Sequence, residues 1–163
     1  MFKNKMLPPV LGVILLAGAG AFVASGQRPK LPGEDWITLF NGKDLSNFYT
    51  WLVGDKRADP DRVFTVLPDV DGAPAIRISG QKFGGITTEQ EYESYRLVVE
   101  FKWGTKTWAP RADRARDSGV LLHCTGPNEP GPWMTSYEFQ IIEGGTGDIL
   151  VVSQEVGSLA FTY

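Results

Sequence analysis

From Trp36 onward, apolar residues recur mostly at every second position, the period of a strand with two unlike faces. The longest run is 95–103. Tyr95, Leu97, Val99, Phe101 and Trp103 fall on one face; Arg96, Val98, Glu100 and Lys102 fall on the other. The same pattern predicts strands over 36–40, 63–67, 75–79, 83–88, 118–124, 137–143 and 148–152. Asn41-Gly42, Asp71-Gly72 and Gly144-Gly145 read as turns between them. Leu45, Phe48 and Trp51 read as scattered anchors in an irregular stretch, and 104–117 and 125–136 as loops. A helical period is absent after the N-terminal segment, apart from one turn's worth at 89–93. Short strands with frequent turns predict an all-β sandwich or barrel.

The first 26 residues follow a different rule. Lys3 and Lys5 precede an apolar run over 10–24, and Ser25 and Gly26 follow it. A positive end, an apolar stretch and small residues form the layout of a cleaved export signal. The run carries several glycines and is short for a membrane span. Export to a periplasmic or extracellular location is therefore expected, with residues 1–26 removed and no stable membrane anchor left. Residues 27–35 form a polar lead-in, and 36–163 one domain.

Composition narrows the function classes. The chain has 16 basic and 19 acidic residues, net −3, and no basic block, so a nucleic-acid surface is not expected. With 19 Gly and 11 Pro among 163 residues, turns are plentiful, as a β protein needs. A single Cys excludes an intramolecular disulfide, and one Cys with one His excludes a Cys-rich zinc site.

The candidate chemistry lies mainly in two predicted strands and the loops before them. Glu138 and Gln140 share a face by parity, and Glu143 joins them only if a bulge falls at Ile141 or Ile142. The spacing resembles the E-x-D-x-x-E motif of family 16 glycoside hydrolases, with Gln140 in the place of the aspartate. On a regular strand the two glutamates stand far beyond the ~5–5.5 Å that a retaining glycosidase needs. His123 is the only imidazole, and parity puts it with Gly119 and Leu121, where Gly119 leaves open space for a ligand. Cys124 should face the other way as a small core residue. Arg111, Arg114, Arg116, Asp113 and Asp117 fill the preceding loop, either as a solvated surface or as a cleft rim. Trp103 continues an apolar face and reads as core. Trp108 and Trp133 read equally as core or as platforms for sugar rings.

Several segments together resemble one family. Trp36-Ile-Thr-Leu-Phe-Asn-Gly-Lys-Asp-Leu45, Gly84-Gly-Ile-Thr-Thr88, Tyr95 to Phe101, Asp117-Ser-Gly-Val120 and Glu138-x-Gln140-Ile141 follow the order of the 3-keto-disaccharide hydrolase domain. The resemblance implies a concanavalin A-like β-sandwich, a jelly roll of two curved antiparallel sheets with a carbohydrate cleft on a concave face. It also implies further strands beyond the C-terminus of this chain. It implies substrates oxidised at sugar C3, cleaved by C2 proton removal and β-elimination, then hydration. Glu138 and Glu143 are then the base and acid in either order. His123 is the enolate contact or, with Glu138, a ligand to a divalent metal. Gln140, Trp108, Trp133, Arg116 and Asp117 would bind the substrate.

Two other readings stay open: an ordinary retaining glycosidase with paired glutamates, and a carbohydrate-binding module without catalysis. For the export segment the expected outcome is specific. Mass spectrometry of the exported protein should show a new N-terminus near residues 24–27, and an intact Met1 would refute cleavage.

Overall fold

The computed structural model describes residues 11–13, 35–129 and 131–153, and the backbone of 157–161. Among the described residues every regular element is a strand. They are β1 (Leu11–Val13), β2 (Ile37–Thr38), β3 (Phe48–Leu52), β4 (Phe64–Val70), β5 (Ala73–Ile78) and β6 (Gly84–Thr88). Then follow β7 (Leu97–Val99), β8 (Asp117–Thr125), β9 (Thr135–Ile142), β10 (Ile149–Ser153) and β11 (Gly157–Phe161). The expected all-β class holds. Apart from β1, the proposed export segment lies outside the described residues.

The chain divides into two compact units. The first comprises 1–49, 65–77 and 88–104. In it β1 pairs in parallel with both β2 and β7. Among its described residues the buried apolar ones are Leu39, Phe40, Ala75 and Ile76. The Arg96 guanidinium lies 5.1 Å from the centre of the Trp36 ring. Between β4 and β5, Asp71 (φ 54°) and Gly72 (φ 94°) both take positive φ, the geometry of a type I′ hairpin turn. Asn41 closes the other predicted turn: its Oδ1 accepts from the backbone N–H of Lys43 at 2.8 Å and of Asp44 at 3.0 Å.

Two expectations here need correction. The run 95–103 keeps its predicted faces, with Tyr95, Leu97, Val99, Phe101 and Trp103 all less exposed than Arg96, Glu100 and Lys102. Its ladder nevertheless spans only Leu97–Val99, because its partner β1 is three residues long. Alternation sets faces, whereas hydrogen bonds to a neighbour set strand length. Trp103 is only partly buried and stands edge-on to Phe101, with centroids 5.8 Å apart. Likewise only Ile37–Thr38 of the run 36–40 is strand.

The second unit comprises 50–64, 78–87 and 105–163. Its main sheet has the order β11-β10-β9-β8, with antiparallel neighbours throughout. Most of the β3–β6 pair also belongs here. β3 was not expected, since 48–52 lacks alternation: four of its five residues are equally half-buried and only Leu52 is fully covered. Among the described residues, Leu52 and Val63 are the most deeply buried side chains. The Asp59 carboxylate secures this core by accepting from the backbone N–H groups of Val63 at 2.7 Å and Phe64 at 2.9 Å.

Gly84 shows why a glycine stands at the start of β6. A Cβ there would lie 2.2 Å from the Trp51 carbonyl oxygen and 2.7 Å from Leu52 Cδ2. The carbonyl oxygen is backbone and cannot move without displacing β3, and the Leu52 side chain is fully buried. Gly84→Ala should therefore cost about 1–3 kcal/mol of stability. Gly104→Ala, with nothing within 4 Å of its Cβ, should cost little. Urea unfolding of the two variants against wild type checks this.

Candidate active site

The site is built on the pairing of β8 with β9. Gly119 stands opposite Gln140 and Leu121 opposite Glu138. Directly opposed residues share a face, so Gly119, Leu121, Glu138 and Gln140 line one side, together with Asp117. β10 extends that face, with Leu150 opposite Glu138. The other face is more apolar and carries Tyr137 and Phe139.

Glu138 is half-buried on this face. Its side chain lies across Gly119: a Cβ on that residue would fall 1.9 Å from Glu138 Oε1 and 2.6 Å from its Cδ. The space predicted beside Gly119 thus exists, but the Glu138 carboxyl occupies it. Burial, and secondarily the Asp117 charge, raise the Glu138 pKa above the ordinary carboxyl value.

Asp117 is the hub of the polar face. Its Oδ1 accepts from the Gln140 amide at 2.7 Å, and its Oδ2 pairs with the Arg111 guanidinium at 3.0 Å. Arg111 also donates to the Ala115 carbonyl at 3.1 Å. The structure thus brings together Glu138, Gln140, Asp117 and Arg111. The sequence had singled out Arg116 as the substrate-binding arginine; Arg111 appeared only as one charge among several. Turns shape the loop that carries Arg111. Trp108 O accepts from Arg111 N at 2.8 Å, and Arg111 O accepts from Arg114 N at 3.1 Å, so the 108–114 loop folds back on itself.

Glu143 does not join the group. The β8–β9 register runs unbroken from Asp117↔Ile142 to Leu122↔Tyr137, so the bulge considered at Ile141 or Ile142 is absent. One step further along, Glu143 faces Arg116 on the opposite side of the sheet. The Arg116 backbone N–H donates to Glu143 Oε2 at 3.0 Å, the guanidinium grips Oε1, and Glu143 N–H donates to Arg116 O at 3.0 Å. Both residues are committed to each other. The paired-glutamate arrangement of a retaining glycosidase is therefore not formed by Glu138 and Glu143.

The irregularity falls instead on β8. The register shifts between Leu122 and Thr125, so His123 and Cys124 together oppose Ser136. His123 takes φ 53° at this bulge and is exposed. Parity stops being valid there, and with it the argument that placed His123 beside Glu138. Cys124 lies against the buried Ser136, and burial pushes its thiol pKa up. Among the described residues, no three His, Cys, Asp or Glu side chains cluster to hold a metal ion.

Trp108 and Trp133 bracket the 80–84 segment. The Trp108 indole N–H donates to Ser79 O at 2.9 Å, and that of Trp133 to Gly84 O at 3.1 Å. Trp133 also meets Phe83 edge-on, with centroids 6.1 Å apart. Trp108 forms a wall of a cleft of about 240 Å³, together with Val53, Phe83, Pro110 and Arg111. Arg111 is thus shared between the cleft and the Asp117 group.

Residues 35–161 match the family described as the 3-keto-alpha-glucoside-1,2-lyase-like domain, and the chain belongs to it. The family is concanavalin A-like, in agreement with the all-β architecture. No curated protein and no solved structure matches the chain.

The two glutamates should leave opposite marks on stability. Arg116 lowers the Glu143 pKa from 4.5 to about 2. That contribution is full above about 4.5 and is lost as pH falls toward 2. Glu138, shifted upward, contributes in the reverse sense: its share is full below the unfolded value and is lost as pH rises through the folded one. Glu143→Gln should flatten the acid limb of a melting-temperature profile between pH 4.5 and 2. Glu138→Gln should leave that limb in place.

Proposed function

We propose that this member of the 3-keto-alpha-glucoside-1,2-lyase-like family cleaves glycosides oxidised at sugar C3, with Glu138 as the proton-transferring group. Membership places the chain among carbohydrate-active proteins. The supporting observation is the Glu138 carboxyl itself, half-buried, seated on Gly119 and raised in proton affinity. A carboxylate that holds a proton more firmly is a better base near neutral pH.

A ketone at C3 acidifies the C2 proton, because the electrons left behind delocalise onto the C3 oxygen. Glu138 takes that proton and an enolate forms. The enolate then collapses: C3=O re-forms, C1=C2 forms, and the C1–O bond breaks with its electrons going to the departing oxygen. The Glu138 carboxylic acid returns its proton to that oxygen. The products are an alcohol and an unsaturated 3-keto sugar, and water added across C1=C2 completes a net hydrolysis.

The surrounding groups suit the remaining roles. The Gln140 amide, oriented by Asp117, and the Arg111 guanidinium are donors for the sugar and for the growing enolate charge. His123, at the bulge beyond the regular pairing, is given no part in this reading. Glu143 and Arg116 serve the scaffold instead of the chemistry.

The test compares 3-keto and plain glycosides of the same linkage. Glu138→Gln should lower kcat by about 10²–10⁴ without lowering Tm. Gly119→Ala, which forces the carboxyl off its seat, should also lower kcat. Glu143→Gln should keep turnover near wild type at neutral pH. Full turnover in Glu138→Gln, or equal cleavage of plain glycosides, would overturn the reading.

A further inference from the structure

The polar side chains on the walls of the cleft beside Trp108 each hold a partner within the protein. The Gln81 amide donates to Asp61 O at 2.7 Å. The Lys82 ammonium is held between the carboxylates of Asp55 and Asp61. The Trp108 indole N–H is spent on Ser79 O, and Arg111 binds Asp117 and Ala115 O. What these walls offer a ligand is carbon surface: Val53, Phe83, Pro110 and the Trp108 ring.

A sugar brought here would exchange the water around its hydroxyls for a lining that is mainly carbon, and unmet hydrogen bonds are costly. A flat apolar ring would not incur that cost. At about 240 Å³ the cleft lies just under the ~300–1,000 Å³ of drug-sized sites and suits a single ring. The platform is also fixed in advance. Lys106 Nζ sits 3.7 Å from the Trp108 ring centre, and the N–H bond to Ser79 sets the ring's angle.

Position supplies the link to chemistry. Arg111 borders the cleft and pairs at 3.0 Å with Asp117, which shares its face with Glu138. Arg111 therefore joins the cleft to the face that carries Glu138.

We infer that this cleft receives an aromatic aglycone, so that the preferred substrates are 3-keto aryl glycosides and not 3-keto-disaccharides. This rests on the function proposed above. The departing oxygen is then a phenol oxygen, which takes the proton from Glu138.

The experiment uses the full chain and two substrates with the same 3-keto sugar, one carrying 4-nitrophenol and one carrying glucose. The aryl substrate should show the larger kcat/KM. Val53→Asp should remove most of that preference, about tenfold, by placing a charge in the cleft mouth. Val53 is 53% exposed, so this variant should fold. Phe83→Ala should act in the same direction. Equal or better cleavage of the disaccharide, or a preference untouched in both variants, would overturn the inference while the proposed function stands. If neither substrate turns over, that function fails and the cleft is read by titration with 4-nitrophenol alone. Binding weakened by Val53→Asp supports the aromatic site, and absence of binding overturns it.

Discussion

The register of β8 against β9 is the constraint on which the candidate site depends. Side chains alternate across a sheet, so a slip of one residue would exchange the two faces. Glu138 and Gln140 would give way to Tyr137 and Phe139 on the side that now carries Asp117. Arg116 and Glu143 fasten one end of the ladder through two backbone-to-partner bonds and an ion pair. At the other end, the bulge at His123 and Cys124 ends the regular pairing. Between these points six consecutive pairs hold a single register, from Asp117↔Ile142 to Leu122↔Tyr137.

Within that ladder, the missing side chain at Gly119 decides where the Glu138 carboxyl rests. Any Cβ there would collide with Cγ, Cδ and Oε1 of Glu138, so the glutamate can lie flat across the neighbouring strand only over glycine. Lying flat accounts for its burial, and burial is the larger cause of its raised pKa. Asp117 adds repulsion from the same face, while Arg111 and Gln140 hold that aspartate in place. Backbone geometry at one glycine thus shapes the acid–base character of a residue on another strand.

Much of this was legible in the sequence, and the rest was hidden for physical reasons. Alternation identified the faces of β8 and β9, and the Asp71-Gly72 and Asn41-Gly42 turns could be read because their chemistry is local. Glycines inside a strand pattern, as at 84 and 85, are a mark of close backbone approach, which Gly84 shows against Trp51. The bulge at His123 carries only a faint sequence mark: histidine is enriched at positive φ, but positive φ stays uncommon for it, and the apolar run before it reads as an unbroken strand. Strand β3 was missed because half-burial on both faces erases alternation. That Arg111 reaches Asp117 while Arg116 turns to Glu143 was hidden because the loop is also tied by Trp108 to Ser79, far away in sequence.

Glu138 and Glu143 lie five positions apart in one segment, and their environments drive them to opposite ends of carboxylate behaviour. An odd separation puts them on opposite faces of an unbulged strand. Glu143 meets the guanidinium and the backbone N–H of Arg116, both of which favour its anion, so near neutral pH it has no proton to give and is a weak, engaged base. Glu138 meets burial and a neighbouring carboxylate, which favour the proton. A double displacement needs two carboxyl groups facing one bond at ~5–5.5 Å, and this pair cannot supply them. An elimination needs only one group able to take a proton and return it. That requirement matches a single carboxyl of raised proton affinity, fixed over a glycine and flanked by the donors Gln140 and Arg111.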